Sequence, residues 1–127
     1  EEIKISCDMK ARFVYANPKV RADEGKACIM RGPLVYCLEE TDNGENLSSL
    51  YVDTKEALTE NWEEQLLGGV MTVEAKGKRI LEDHWTAEEL YKEQPPELKD
   101  VTLKAVPYCY WGNQKTGEMA VWIRQLI

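Results

Sequence analysis

The sequence predicts an all-β fold, a jelly-roll-like β-sandwich with one short surface helix. Three observations carry this reading. Apolar and polar residues alternate in short runs along most of the chain, which is the period of a half-buried strand. Turn residues cut those runs at close intervals, at Asn17-Pro18, Asp23-Glu24-Gly25, Gly32-Pro33, Asp42-Asn43-Gly44 and Gly68-Gly69. The run from Leu34 to Glu39 is apolar on both sides, with Leu34, Tyr36 and Leu38 pointing one way and Val35 and Cys37 the other. A strand of that kind is covered above and below.

The elements follow in chain order. Ile3, Ile5, Cys7 and Met9 alternate with Lys4, Ser6 and Asp8, a first strand. Arg12 to Ala16 is a second, closed by Asn17-Pro18 because the residue before proline is pushed out of the helical region. Lys26 to Met30 runs into the Gly32-Pro33 corner that launches the Leu34–Glu39 strand, and Leu50-Tyr51-Val52 is a short strand. Thr54 to Leu66 mixes acids with leucines and Trp62 and is expected to hold a helical turn. Met71, Val73 and Ala75 form a strand, after which Lys76-Gly77-Lys78 is the predicted hairpin turn into Arg79-Ile80-Leu81. Residues 82 to 97 are acidic, with Thr86-Ala87-Glu88-Glu89 as a capping box, and predict the surface helix, ended by Pro95-Pro96. Val101, Leu103 and Ala105 begin the closing strands, Gly112 to Gly117 is a loop, and Met119, Val121 and Ile123 form the last strand. Val35, Cys37, Val121 and Ile123 are expected in the core, with Tyr36 and Trp122 buried or facing a partner.

At 127 residues the chain predicts a single domain over 1–127, long enough to bury a real core. Its net charge of -7, from 23 acids against 16 lysines and arginines, repels phosphate backbones and anionic lipid surfaces, so neither nucleic acid nor membrane is an expected partner. No apolar run approaches the ~20 residues of a membrane-spanning helix. Cys7, Cys28, Cys37 and Cys109 form no C-x-x-C pair, and His84 is the only histidine. Without close ligand pairs a zinc site is not expected, and each cysteine reads as a small buried hydrophobe. Free thiols, and strand-like sequence directly after Glu1-Glu2 in place of a signal peptide, make the cytoplasm the expected location.

Catalytic chemistry is hard to find. His84 sits among acids in Glu82-Asp83-His84-Trp85, but sequence neighbours in a loop rarely converge, and no Ser or Cys nucleophile lies in a recognisable motif. Glu63-Glu64 and Glu88-Glu89 are pairs of acids, yet glycosidase carboxylates flank a sugar from well-separated positions, so a solvated acidic face explains them better. The aromatics Tyr108, Tyr110, Trp111 and Trp122 flank one loop and are the candidate contact residues. Such rings serve the core first, an interface with another domain second, and sugar stacking third.

Two blocks carry a family resemblance. Ala16-Asn17-Pro18-Lys19-Val20-Arg21-Ala22-Asp23-Glu24-Gly25-Lys26, followed by Met30-Arg31-Gly32-Pro33-Leu34-Val35-Tyr36-Cys37-Leu38-Glu39, resembles the C-terminal region of glycoside hydrolase family 127, whose type activity is β-L-arabinofuranosidase. The later runs Leu103-Lys104-Ala105-Val106-Pro107-Tyr108, Trp111-Gly112-Asn113 and Gly117-Glu118-Met119-Ala120-Val121-Trp122-Ile123 are similar to that family's closing strands. The likeness departs at Cys109 and Tyr110 and at Gln114-Lys115-Thr116. It implies an (α/α)6-barrel catalytic domain upstream, with a cysteine nucleophile in a zinc-bound cysteine cluster that has a glutamate ligand. The adjacent cysteines of that motif do not occur here, so Cys7 and Cys28 are not assigned the role. The resemblance thus implies the non-catalytic sandwich that follows the barrel, without a cofactor of its own, packing on the barrel and supporting homodimer contacts. The alternative is a carbohydrate-binding module that uses exposed aromatics.

Overall fold

The computed structural model describes residues 10–20, 23–64, 69–81, 90–108 and 117–126. The strands are β1 (Ala11–Tyr15), β2 (Lys26–Arg31), β3 (Leu34–Glu39), β4 (Leu50–Val52), β5 (Thr59–Glu63), β6 (Val70–Ile80), β7 (Leu98–Pro107), β8 (Met119–Ala120) and β9 (Ile123–Gln125). A four-residue helix, α1 (Glu40–Asn43), follows β3 directly, and a 3-10 turn at Leu47–Ser49 leads into β4. The all-β, sandwich-like fold expected from the alternation is the fold the chain adopts.

Pairing joins the strands into a closed circuit. One half is β6–β7–β3 and the other β2–β9–β4, and the β2–β3 and β4–β6 ladders connect them. All pairs are antiparallel except β4 with β9. Closure at β2 uses one strand edge twice. Ala27 pairs with Tyr15 of β1 on one side and Ile123 of β9 on the other, while Ile29 pairs with Phe13 of β1 and Tyr36 of β3. The edge facing away from β1 is therefore shared, β9 taking its first half and β3 its second. Between β2 and β3 only Gly32 and Pro33 intervene; Gly32 has φ +59, as the first central position of a type II′ turn requires.

Inside the circuit lies one core. Ile29, Tyr36, Leu38, Leu50, Val52, Val73, Ala75, Leu103, Ala105 and Ile123 all point into it from six strands. Tyr36 is its largest member, 1 % exposed, and its hydroxyl donates to the Met71 carbonyl at 2.7 Å, so the one polar atom of the ring is satisfied. β3 is buried on both faces, as its two-sided apolar pattern predicts: Tyr36, Cys37 and Leu38 are each 1 % exposed. Of the other expected core positions, Ile123 is buried, while Val35, Val121 and Trp122 are half-buried.

Three expectations change. Lys76-Gly77-Lys78 is not a turn, for β6 runs unbroken through it. The glycine serves a close approach instead: a Cβ on Gly77 would lie 2.1 Å from the Tyr51 carbonyl oxygen of β4 and 3.3 Å from Leu103 Cδ1. The segment expected to hold a helical turn contains β5, which pairs with β6 from Thr59↔Glu74 to Glu63↔Val70. Pairing with a long neighbouring strand overrides weak local propensity. The last strand is two, β8 and β9, broken at Val121-Trp122 because β8 pairs with β3 whereas β9 crosses to β2 and β4. The helix expected over 82–97 lies outside the described residues for 82–89; Leu90–Glu97 contains no helix, and the described helix is α1. The expected strand from Ile3 to Met9 also lies outside the described residues.

Glu60 ties the ends of three strands. Its Oε1 accepts the Arg31 Nε–H at 2.5 Å and its Oε2 the Ala11 backbone N–H at 2.9 Å, binding β5 to β2 and β1. The Ala11 N–H first, and the Arg31 guanidinium second, hold its carboxyl below the usual glutamate range.

Two outcomes are expected. Gly77→Ala should destabilise the fold by about 2–3 kcal/mol, because a strand backbone cannot move aside as a flexible side chain can. Lys76→Ala, at the exposed neighbour, should cost at most about 0.5 kcal/mol. Urea midpoints compare the two. Since the Glu60 pKa is lowered in the folded state, the unfolded state takes up the proton first on acidification. The Glu60 contribution is therefore complete above the ordinary glutamate pKa of about 4.3 and is lost as the pH falls through the lower folded value. Glu60→Gln should unfold at lower urea than the parent at pH 7, and the gap should narrow toward about pH 3.

Candidate functional site

A connected set of charged and polar side chains lies on the outer face, where α1 sits over β3 and β7. The β3–β7 ladder runs Tyr36↔Pro107, Cys37↔Val106, Leu38↔Ala105. At the next position the Asn43 side chain takes over. Its Nδ2 donates to the Lys104 carbonyl at 2.9 Å and its Oδ1 accepts the Lys104 N–H at 2.8 Å, so the amide extends the ladder like another strand residue. Nδ2 also donates to the Glu39 carbonyl at 3.0 Å, which fixes α1 on the end of β3.

Lys104 points outward into acids. Its Nζ lies 3.0 Å from Glu63 Oε1 and 3.9 Å from Asp42 Oδ1. Glu63 Oε2 accepts the Thr72 hydroxyl at 2.8 Å, and Thr72 is 1 % exposed. The Lys104 ammonium first, and the Thr72 hydroxyl second, hold the Glu63 carboxyl below its usual range. Asp42 Oδ2 is buried and finds no hydrogen-bond partner among the described residues.

This arrangement fixes strands to one another. A general acid for glycoside cleavage needs a carboxyl whose pKa is raised, so that it still carries a proton near neutrality. Glu63 is shifted the other way and is committed to Lys104 and Thr72. The solvated acidic face expected at Glu63-Glu64 is half right: Glu64 is exposed, whereas Glu63 is engaged. His84, Glu88 and Glu89 lie outside the described residues.

The cysteines follow the same logic. Cys28 and Cys37 are buried and form no disulfide, and burial pushes the Cys28 thiol up. Nucleophiles and zinc ligands are thiolates, and burial disfavours that form at Cys28. Cys7 and Cys109 lie outside the described residues.

Of the four candidate aromatics, the described residues include two. Tyr108 follows the end of β7 and is 46 % exposed. Trp122, in the bend between β8 and β9, lines a depression of about 220 Å³ together with Lys26, Ser48, Glu118 and Arg124. That volume falls short of the roughly 300 Å³ at which small-molecule sites begin. Part of its polar rim is already engaged: Arg124 lies 4.8 Å from the centre of the Tyr51 ring and donates to the Tyr51 hydroxyl at 3.3 Å, and Glu118 Oε1 accepts the Leu47 N–H at 3.2 Å. Tyr110 and Trp111 lie outside the described residues.

The sequence pattern did not single out the most exposed rings among the described residues, Tyr91 at 91 % and Trp62 at 59 %. A signal existed for both. Trp62 stands between polar neighbours in Glu-Asn-Trp-Glu, and Tyr91 follows Leu90 in an acid-rich stretch ahead of Pro95-Pro96.

Known proteins share this architecture. A non-reducing end β-L-arabinofuranosidase of Bifidobacterium longum subsp. longum is 39 % identical over 98 % of the chain. The crystal structure of a family 127 β-L-arabinofuranosidase from Geobacillus stearothermophilus T6 superposes with a TM-score of 0.88 at 40 % identity over 93 % of the chain. A family 127 β-arabinofuranosidase structure gives a TM-score of 0.77 at 32 % identity over 94 % of the chain. In each case the likeness is confined to part of the larger protein, 20 % of the Bifidobacterium protein and 18 % of each of the two structures. With residues 11–124 matching the glycoside hydrolase family 127 C-terminal domain, the chain belongs to that family.

Proposed function

We propose that this chain is a non-catalytic accessory domain of a longer glycoside hydrolase acting on β-L-arabinofuranosides, and that it packs against the catalytic domain that precedes it. The observation that carries this is the partial coverage: the chain aligns over nearly its whole length with only 20 % of a β-L-arabinofuranosidase. The local chemistry supports it. The best-placed acid, Glu63, is held ionised by Lys104, and the Cys28 thiol is pushed up by burial. In this reading the zinc and the cysteine nucleophile implied by the family reside in the upstream (α/α)6 barrel, and this domain contributes stability and, in the dimer, contact area. Its single-domain character, Glu1 to Ile127, is part of the same proposal.

A second reading has one observation in its favour, the Trp122 depression with Lys26 and Arg124 at its rim. An aromatic face beside hydrogen-bond donors is how sugar-binding modules hold a ring.

The test compares the full-length enzyme, the same enzyme lacking residues 11–124, and the 127-residue chain. The full-length protein is expected to hydrolyse a chromogenic β-L-arabinofuranoside. The chain alone should show no turnover, no stoichiometric zinc and no heat with millimolar arabinose oligosaccharides. Removing the domain should lower the unfolding temperature of the remainder. Turnover by the isolated chain would refute the accessory reading. Micromolar sugar binding abolished by Trp122→Ala would establish the binding-module reading in its place.

A further inference from the structure

The depression beside Trp122 carries a charge pattern that the fold itself does not explain. Lys26 of β2 and Arg124 of β9 are direct partners in the β2–β9 ladder, and both line the depression. Residues directly opposite in an antiparallel pair share a face with Cβ atoms about 4.5–5.5 Å apart, and like charges placed so are destabilising.

The other half-buried cations of the strands are compensated. Arg31 pairs with Glu60, Lys78 with Asp100 and Lys104 with Glu63, and Arg79 donates to carbonyls and the Ser49 hydroxyl. No carboxylate among the described residues pairs with Lys26 or Arg124. The chain has 23 acids against 16 lysines and arginines, so the gap does not come from a shortage of acids. Arg124 is held by Tyr51, with the ring centre at 4.8 Å and the hydroxyl at 3.3 Å from Nη1. That contact fixes the guanidinium and leaves most of its five N–H donors unused.

We infer that the Trp122 depression binds a carboxylate-bearing sugar, a uronic acid residue, with the carboxylate between Lys26 and Arg124. A fixed guanidinium fork beside an ammonium matches the two oxygens of a carboxylate. Trp122 supplies an aromatic wall for the ring. The Ser48 hydroxyl donates to Asn46 Oδ1 at 2.6 Å, so its oxygen remains an acceptor for a sugar hydroxyl. Glu118, also at the rim, accepts from sugar hydroxyls but repels an ion such as phosphate, which is anionic on every side. At about 220 Å³ the depression holds one terminal residue and leaves the rest of a longer ligand in solvent. The inference goes beyond the accessory reading, which it neither needs nor opposes. It differs from a neutral-sugar module in requiring the charge.

Calorimetric titration of the full-length enzyme with methyl glucuronide tests it. Methyl glucoside has the same ring without the carboxylate, and acetate the carboxylate without the ring. Saturable heat is expected with the glucuronide and none with the other two at the same concentration. Lys26→Gln and Arg124→Gln should each weaken glucuronide binding about tenfold, whereas Lys26→Arg should keep it. Without ligand, Lys26→Gln should unfold no lower than the parent, since it removes one of two opposed cations. No heat with the glucuronide, equal heat with the glucoside or acetate, or unchanged affinity in either Gln variant overturns the inference. So does a lower unfolding temperature in ligand-free Lys26→Gln, which would mean that another part of the enzyme already neutralises this lysine. Turnover by the isolated chain, by contrast, would refute the accessory reading and leave this site standing.

Discussion

The fold depends on the seam at β4. This strand is three residues long, yet it pairs with β6 on one side and β9 on the other and so joins the two halves of the circuit. A strand that short has few hydrogen bonds to spend, and it holds only if its neighbours approach closely. Gly77 permits that approach, because the Tyr51 carbonyl occupies the space a side chain at 77 would need. The seam also determines what faces inward. Leu50 and Val52 on β4, Val73 and Ala75 on β6, and Ile123 on β9 share one core only because the three strands are locked in this register. A slip of one residue would turn every one of them outward.

Around that core polar groups fix strand ends. Glu60 gathers β1, β2 and β5. The Arg79 guanidinium, from the end of β6 that pairs with β4, donates to the carbonyls of Asn43 and Glu45 and to the Ser49 hydroxyl, so it clamps the connection that delivers the chain into β4. Asn43 and Lys104 hold α1 against β7. Each of these side chains is engaged by its neighbours, and the carboxyls of Glu60 and Glu63 are held below the usual glutamate range. A catalytic site keeps at least one titratable group poised near neutrality. The carboxyls of Glu60 and Glu63 are shifted the opposite way, as groups committed to holding strands are.

The legible part of the fold was the part controlled by local pattern. The two-sided run Leu34–Glu39 reads directly as a buried strand, and Leu50–Val52 appears with the same bounds in sequence and structure. Failures came where long-range pairing changed the meaning of a residue. Gly77 carries the same local signature whether it makes a turn or admits a neighbouring carbonyl, and only the position of β4 distinguishes the two. Thr59–Glu63 has a weak strand pattern that becomes a strand because β6 is long enough to receive it. Val121-Trp122 continues an apolar alternation, but β8 and β9 belong to different neighbours and the chain bends between them. The candidate site was less legible still, since ring type does not reveal exposure: Trp122 is half-buried while Tyr91 is almost bare.

Closure and exposure are linked. A circuit joined at both seams has few free edges, so a domain of this kind has little backbone with which to bind a neighbour. What remains for contact is side chain, displayed on elements that leave the circuit. Among the described residues the β6–β7 ladder does this, because β7 pairs with β3 only over Ala105–Pro107 and runs on beyond it. The same ladder anchors Leu103 and Ala105 in the core and leaves Leu98, Lys99 and Asp100 exposed at its other end. Bracing matters for association, since a contact group held on a paired strand loses less conformational freedom on binding than one on a slack loop. In this closed β-domain the β6–β7 ladder therefore holds its side chains on paired backbone from the core outward as far as Leu98.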